Sequence, residues 1–408
     1  MKRYDMTKFL TATLMVLMLV PSFASCGKKG DNETPAPTPT PTPEAKARLV
    51  AITTSLPTPT TVFGSSGTAT GKLAVNMDTG ELGGAILYSG LTSSTTSGSI
   101  RLTSNDSTVV LLSNPTGTTT GAWTIPADTV LTALQLSDLA FGGLHFRIDT
   151  VNNQTGEHRG DIVFPDITIT TAMSRPAGVA GTASGQGTLI ANLGTGALSG
   201  AITFSGLSSN ATAAHIHRSS DNAVVVTLEG GTGAQAGTFT IPAAAFLNSA
   251  QLKVLANDGL YFAVHSQNFQ PPASELIGNI VYPVTTIPTV SLSGQQEVPP
   301  VTTIGSGTGN LTVNLGTGKI SGSVAFSTPS IASNAHIHQG FAGENGTVLI
   351  PLSGTTGVTS GTWTVPADTF LDAEGLGALI SDRLYLNIHT ASNANGEIRG
   401  QIVSVPTN

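Results

Sequence analysis

The sequence predicts an all-β protein, built as tandem antiparallel sandwich or barrel domains behind an N-terminal leader and a proline-rich linker. Three observations predict it. Short segments that alternate apolar and polar residues are separated by Gly, Pro, Asn and Thr turns, which is the pattern of half-buried strands. Helical signal is weak: "DAEGLGAL", Asp372 to Leu379, suffices for a turn or two, and its two glycines cost it stability. Four sequence blocks each recur three times, about 115–125 residues apart, a period far above that of solenoid repeats and long enough for independent domains.

The first block is a hairpin. It reads "GTATGKLAVNMDTGELGGAILYSGL" from Gly67, "ASGQGTLIANLGTGALSGAITFSGL" from Ala183 and "GSGTGNLTVNLGTGKISGSVAFS" from Gly305, with "DTG" or "GTG" as the turn. The second reads "GAWTIPADTVL" from Gly121, "GTFTIPAAAFL" from Gly237 and "GTWTVPADTFL" from Gly361. Trp123, Phe239 and Trp363 share one place in it, which marks them as core residues and argues against a glycan-binding aromatic platform. The third reads "LHFRIDT", "LYFAVHS" and "LYLNIHT", and "GEHRGDIV", "SELIGNIV" and "GEIRGQIV" close the units. The domains are placed at 49–167, 168–287 and 288–408.

Ahead of them, Lys2, Arg3 and Lys8 precede "FLTATLMVLMLV", Phe9 to Val20, an apolar run too short to span a bilayer as a helix. The following "FASC", Phe23 to Cys26, resembles the lipobox of bacterial lipoproteins, with Phe23 where Leu is usual. That resemblance implies a signal peptide over 1–25, lipidation of Cys26 and membrane attachment through it. Gly27 stands where an inner-membrane retention signal has Asp, so an outer-membrane place in the cell envelope is expected, facing the periplasm or the exterior. Cys26 is the single cysteine, which excludes an intrachain disulfide. Residues 26–48 carry "TPAPTPTPTPE", whose alternating prolines favour an extended, semi-rigid tether. The net charge of −7 provides no basic surface for nucleic acid.

The third repeat, in "SGQQEVPPVTTIGSGTGNLTVNLGTGKISGSVAFS", "NAHIHQGFAGENGTVLIPL" and "LYLNIHTASNANGEIRGQIV", resembles the CHRD domain named from chordin. The second repeat is a looser match and the first is degenerate. The resemblance implies an extracytoplasmic, immunoglobulin-like Greek-key β fold without an assigned activity.

Eight histidines serve 408 residues, yet His215/His217 and His336/His338 form two "HIH" pairs. Residues i and i+2 of a strand share a face, so each pair points one way and Ile216 or Ile337 the other. His265 and His389 in the later block complete two sets of three, a donor set suited to zinc or copper. Repeat 1 has Ser99, Arg101 and Asp149 at these places, so all three histidines are lost together, and an Arg101–Asp149 ion pair is expected instead. A plain polar cluster on the sheet is the competing reading. His145 and His158 lack counterparts and are expected at the surface. Glu397 with Arg399, and Glu157 with Arg159, are expected to form register-fixing ion pairs; a glutamate orienting a ligating histidine is the alternative.

Enzymatic motifs are missing: no nucleophile elbow, P-loop or dinucleotide fingerprint is present. Copper/zinc superoxide dismutase shares the HxH strand, but needs a fourth copper histidine and a zinc site with aspartate, neither of which the sequence displays. The expectation is a non-enzymatic envelope lipoprotein that binds or presents a partner protein, with metal binding through the three-histidine sets as the alternative.

Overall fold

The computed structural model describes residues 47–407 except 61, 63 and 114–116. The leader, Cys26 and the "TPAPTPTPTPE" tether lie outside the described residues.

Domain 1 contains β1 (Leu49–Ser55), β2 (Thr68–Asn76), β3 (Leu82–Ser89), β4 (Thr95–Leu102), β5 (Thr108–Leu111), β6 (Gly121–Thr124), α1 (Ala133–Ala140), β7 (Leu144–Thr150) and β8 (His158–Asp161). Domain 2 contains β9 (Asp166–Ser174), β10 (Ser184–Asn192), β11 (Leu198–Ser205), β12 (Ala211–Arg218), β13 (Val224–Thr227), β14 (Glu229–Gly230), β15 (Gly237–Thr240), α2 (Ser249–Ala256), β16 (Leu260–Ser266) and β17 (Leu276–Ile280). Domain 3 contains β18 (Thr285–Thr286), β19 (Val290–Ser293), β20 (Ser306–Val313), β21 (Ile320–Ser327), β22 (Ala332–Gln339), β23 (Thr347–Pro351), β24 (Ser353–Gly354), β25 (Ser360–Thr364), α3 (Ala373–Ile380), β26 (Leu384–Thr390) and β27 (Ile398–Ile402).

The strands form antiparallel sandwiches, as expected. In domain 2 the order is β13-β12-β16-β17-β9-β10-β11-β15-β14. Only Leu228 separates β13 from β14, yet they end opposite edges of the sheet. The sheet must therefore roll until its edges nearly meet, which removes most of the exposed edge. Domain 3 repeats this order from β23 to β24, and domain 1 divides it into the layers β1-β2-β3-β6 and β5-β4-β7-β8.

Each repeated hairpin turns by one local device. Asn76, Asn192 and Asn314 accept hydrogen bonds on Oδ1 from the two following turn amides, at 2.9–3.3 Å. Gly80, Gly196 and Gly318 then take φ of +81°, +75° and +75°, which a Cβ disfavours. Trp123, Phe239 and Trp363 are buried, as the repeat pattern predicts.

The helices occupy equivalent places but differ in surroundings. The faint signal at "DAEGLGAL" becomes α3, capped by Asp372 Oδ1 on Gly375 N at 2.8 Å. The sequence reading passed over α1 and α2, although both carry capping boxes, Thr132 with Gln135 and Asn248 with Gln251. α3 is buried along nearly its whole length against β2 and β3 of domain 1. Backbone meets backbone there: a Cβ on Gly377 would overlap Gly83, and one on Gly83 would overlap Ala373. The strands equivalent to β3 carry Ser199 and Ser321 facing out; β3 has Gly83 at that place. Domain 1 thus buries its sheet on both faces, and Leu49, Ala51 and Ala74 join the hydrophobic core of domain 3. This covering accounts for the glycine at 83 where the other repeats have serine.

The place of Gly377 is Ser137 in α1 and Lys253 in α2; Ser137 is exposed, and Lys253 Nζ reaches Asp78 at 3.0 Å. Gly377→Leu is therefore expected to lower unfolding free energy by about 1–3 kcal/mol or more, whereas Ser137→Leu changes it by less than about 0.5 kcal/mol. Urea unfolding of both variants checks this.

Candidate metal centre

β12 pairs with β16, and β22 with β26, in the same register. His217 lies opposite Tyr261 and His338 opposite Tyr385; His265 and His389 lie opposite Ala213 and Asn334. Ile216 and Ile337 fill the cores at 0% exposure, so period two sends the histidines to the other face. The structure brings together His215, His217 and His265 in domain 2, and His336, His338 and His389 in domain 3. In each set, one ring nitrogen per histidine lies within 4.8 Å of the others.

Backbone carbonyls set the rings. Nδ1 of His217 donates to Asn222 O at 2.8 Å, and that of His265 to Ala273 O at 2.6 Å. Nδ1 of His338 donates to Gly346 O at 3.0 Å, and that of His389 to Ala394 O at 2.9 Å. A carbonyl only accepts, so Nδ1 carries the proton and Nε2 of the neutral ring keeps its lone pair. Nε2 of His217, His265 and His338, and Nδ1 of His215, are buried and make no hydrogen bond. His389 Nε2 lies 3.1 Å from His336 Nδ1, which must therefore be the donor of that pair. Binding a cation through His336 Nδ1 then requires only that its proton move to Nε2.

A tyrosine braces each set. Tyr261 stacks on His217 with centroids 5.2 Å apart, and Tyr385 on His338 at 5.0 Å. Their hydroxyls bond the same hairpin tips that hold Nδ1: Tyr261 Oη donates to Asn222 Oδ1, and Gly346 N donates to Tyr385 Oη, each at 3.1 Å. The sequence carried both tyrosines at one place of the "LYFAVHS" and "LYLNIHT" blocks, a signal the reading did not use.

Three imidazoles with one nitrogen each converging fit zinc or copper, directly in domain 2 and after the His336 proton moves to Nε2 in domain 3. The CHRD domain profile matches residues 29–162, 167–280 and 289–402. The chain belongs to the CHRD domain family. No curated protein and no solved structure matches it. At the level of the family, three CHRD domains support a non-enzymatic binding protein.

CHRD domain 1 replaces the three histidines with charge, in a different arrangement from the expected one. Arg101 does not pair with Asp149. Its Nε donates to Ser99 Oγ at 3.0 Å, and its Nη1 lies 3.6 Å from Asp106. Arg147, two residues from Asp149 on β7, takes that carboxylate at 2.7 and 3.0 Å, and also pairs with Asp106. The same-strand neighbour is nearer than the cross-strand one. Repeats 2 and 3 gave no hint of it, because they have Ala263 and Asn387 at the place of Arg147.

His145 and His158 are corrected from surface to interior, at 0% and 1% exposure. His145 takes the place of the bracing tyrosine, with Nε2 3.0 Å from Asp106. His158 Nδ1 bonds Leu56 O at 2.8 Å.

The expected Glu–Arg pairs are also corrected. Glu397 is occupied by Thr303, Thr390 and Asn393. Arg399 lies over Tyr385, 3.5 Å from the ring centroid, and donates to Glu344 O and Phe341 O at 2.7 and 2.8 Å. Glu157 is held by Ser65, Thr92 and Thr150, and Arg159 lies 3.9 Å from Asp161 instead. Hydroxyl and amide donors occupy each carboxylate in place of an arginine, Thr150, Thr390 and Asn393 from the adjoining turn and Ser65, Thr92 and Thr303 from segments distant in sequence. The glutamates do not orient the histidines either, since backbone carbonyls do.

Burial, with the neighbouring histidines adding repulsion, lowers His215 to about 4. Burial, partly offset by the Ala394 hydrogen bond, lowers His389 to about 4. Burial is also the leading cause that lowers His265, His336 and His338. These rings are neutral, hence able to ligate, at neutral pH. Below about pH 6.5 the unfolded chain takes up protons that these five rings refuse in the folded state. Stability of the metal-free protein is therefore expected to be full above that pH and to fall progressively toward pH 4. Urea midpoints across pH 4–8 check this, and a variant with alanine at all six positions should lose most of the slope.

Proposed function

We propose that this chain is a non-enzymatic binding protein of the cell envelope whose second and third CHRD domains each hold zinc or copper on three histidines. One observation carries the metal reading: one nitrogen from each of three imidazoles converges in both sets, backbone carbonyls hold Nδ1 of two rings per set, and the buried Nε2 atoms of His217, His265 and His338 are left without a hydrogen bond. A plain polar cluster would use those nitrogens within the protein, because an unpaired buried acceptor costs free energy; only the His336–His389 pair of domain 3 does so, and His217, His265 and His338 leave Nε2 unbonded. Domain 1 supports the reading as an internal contrast. Where its histidines are absent, the guanidinium of Arg147 and its two aspartates fill the same face of the strand pair.

The envelope placement rests on the basic and apolar leader, the "FASC" motif and the proline tether. A lipid on Cys26 would attach the protein to a membrane, and the tether would hold the three domains away from it, available to metal or to a partner protein.

Calorimetric titration of the metal-stripped chain at neutral pH is expected to find two zinc equivalents. His265→Ala should remove one, His389→Ala the other, and the double variant both. Tyrosine fluorescence should respond at each site through the stacked Tyr261 and Tyr385. A folded chain that takes up no zinc or copper(II) contradicts the reading. Cys26→Ala should move the protein from the membrane to the soluble fraction; unchanged fractionation contradicts the anchor.

A further inference from the structure

The two histidine sets differ in what stands beside them. Opposite His336 in the register is Asn387; opposite His215 is Ala263. Directly opposed residues have Cβ atoms roughly 4.5–5.5 Å apart, so the Asn387 amide flanks the histidines of domain 3 on their own face. Asn387 is 4% exposed, and its Oδ1 makes no hydrogen bond. Its Nδ2 lies 3.5 Å from Oε2 of Glu297, a carboxylate 5% exposed whose Oε1 is likewise unbonded. Both side chains close on one spot: a Cβ on Gly396 would lie 2.6 Å from Glu297 Oε1 and 2.7 Å from Asn387 Oδ1.

Two buried acceptors side by side, neither satisfied, call for a donor or a cation between or near them. Burial, with the charge of Glu397 adding to it, outweighs Arg399 and the Asn387 hydrogen bond, which favour the ionised form, and raises Glu297 to about 7. Domain 2 has no such acceptors. Arg175 precedes Ser184 by the same nine residues as Glu297 precedes Ser306, and it is paired off with Glu275.

A dication on three neutral imidazoles keeps its full charge, and water in its open position becomes a strong hydrogen-bond donor. We infer that Glu297 and Asn387 are positioning residues for the metal of domain 3, accepting hydrogen bonds from its bound water and offsetting its charge, so that domain 3 binds zinc more tightly than domain 2. The inference rests on the metal reading above and adds an inequality between the sites.

The test uses the full chain. His265→Ala leaves only the domain 3 set, and His389→Ala only the domain 2 set. Zinc affinity of each is measured by competition with a chromophoric chelator at neutral pH, before and after adding Glu297→Gln or Asn387→Ala. The expected result is tighter binding in domain 3, weakened roughly 10–100-fold by either substitution, with domain 2 affinity unchanged. Urea unfolding of the Glu297→Gln and Asn387→Ala variants, followed by the near-ultraviolet signal of Trp363 in domain 3, shows whether that domain stays folded. Equal affinities that neither substitution alters overturn the inference while leaving the metal reading standing. No zinc bound by either set overturns both.

Discussion

The hydrogen bond from a ring Nδ1–H to a backbone carbonyl is the interaction on which the candidate centre depends. It occurs at Asn222, Ala273, Gly346 and Ala394. It fixes the tautomer and the ring plane together, and so decides where the Nε2 lone pair points. The carbonyls belong to connections that follow β12, β16, β22 and β26, each held by its own turn geometry. At Asn222 a φ of +59° turns the chain at the hairpin tip. The site is thus built by strand period, which gathers the imidazoles, and by turn backbone, which aims them.

The three domains solve one steric problem with different chemistry. On the shared strand pair, domains 2 and 3 gather neutral imidazoles, and domain 1 gathers arginine and aspartate. The same domain gives up the polar outer face of its sheet to receive α3, and glycine on each side permits the backbone contact. Domain 1 therefore serves the assembly through packing. A phenylalanine and a tyrosine that follow β8 and β17 make the other joints: Phe164 packs on Gly194, and Tyr282 on Gly316, at the hairpin turns of the next domain.

The parts legible in the sequence are those fixed locally. Alternation fixed the hairpins, the Asn and Gly of "NLGTG" fixed their turns, and the i, i+2 rule placed each histidine pair on one face. Adding His265 and His389 needed only the repeat alignment, because repeats share register. What stayed hidden depends on partners distant in sequence. Glu397 and Arg399 share a strand direction, yet loops 50 or more residues away claim Arg399, with |i−j| of 55 and 58 to its carbonyl acceptors. Burial of His145 and His158 follows from the closure of domain 1 around them, which charge and polarity alone do not announce. Arg147 escaped notice because the other repeats carry Ala263 and Asn387 there. The helices α1 and α2 were readable from Thr132–Gln135 and Asn248–Gln251, where capping outweighs a short and weak apolar period.

The central claim is that converging imidazoles hold a metal, and anomalous diffraction from crystals of the zinc-loaded chain tests it most directly. Data collected on both sides of the zinc absorption edge should place one peak among His215, His217 and His265 and one among His336, His338 and His389. No peak should lie beside Arg101, Arg147 and Asp149. Rings arranged as described but without a peak in either set, while zinc scatters elsewhere on the surface, would contradict the account and leave two polar clusters on a strand.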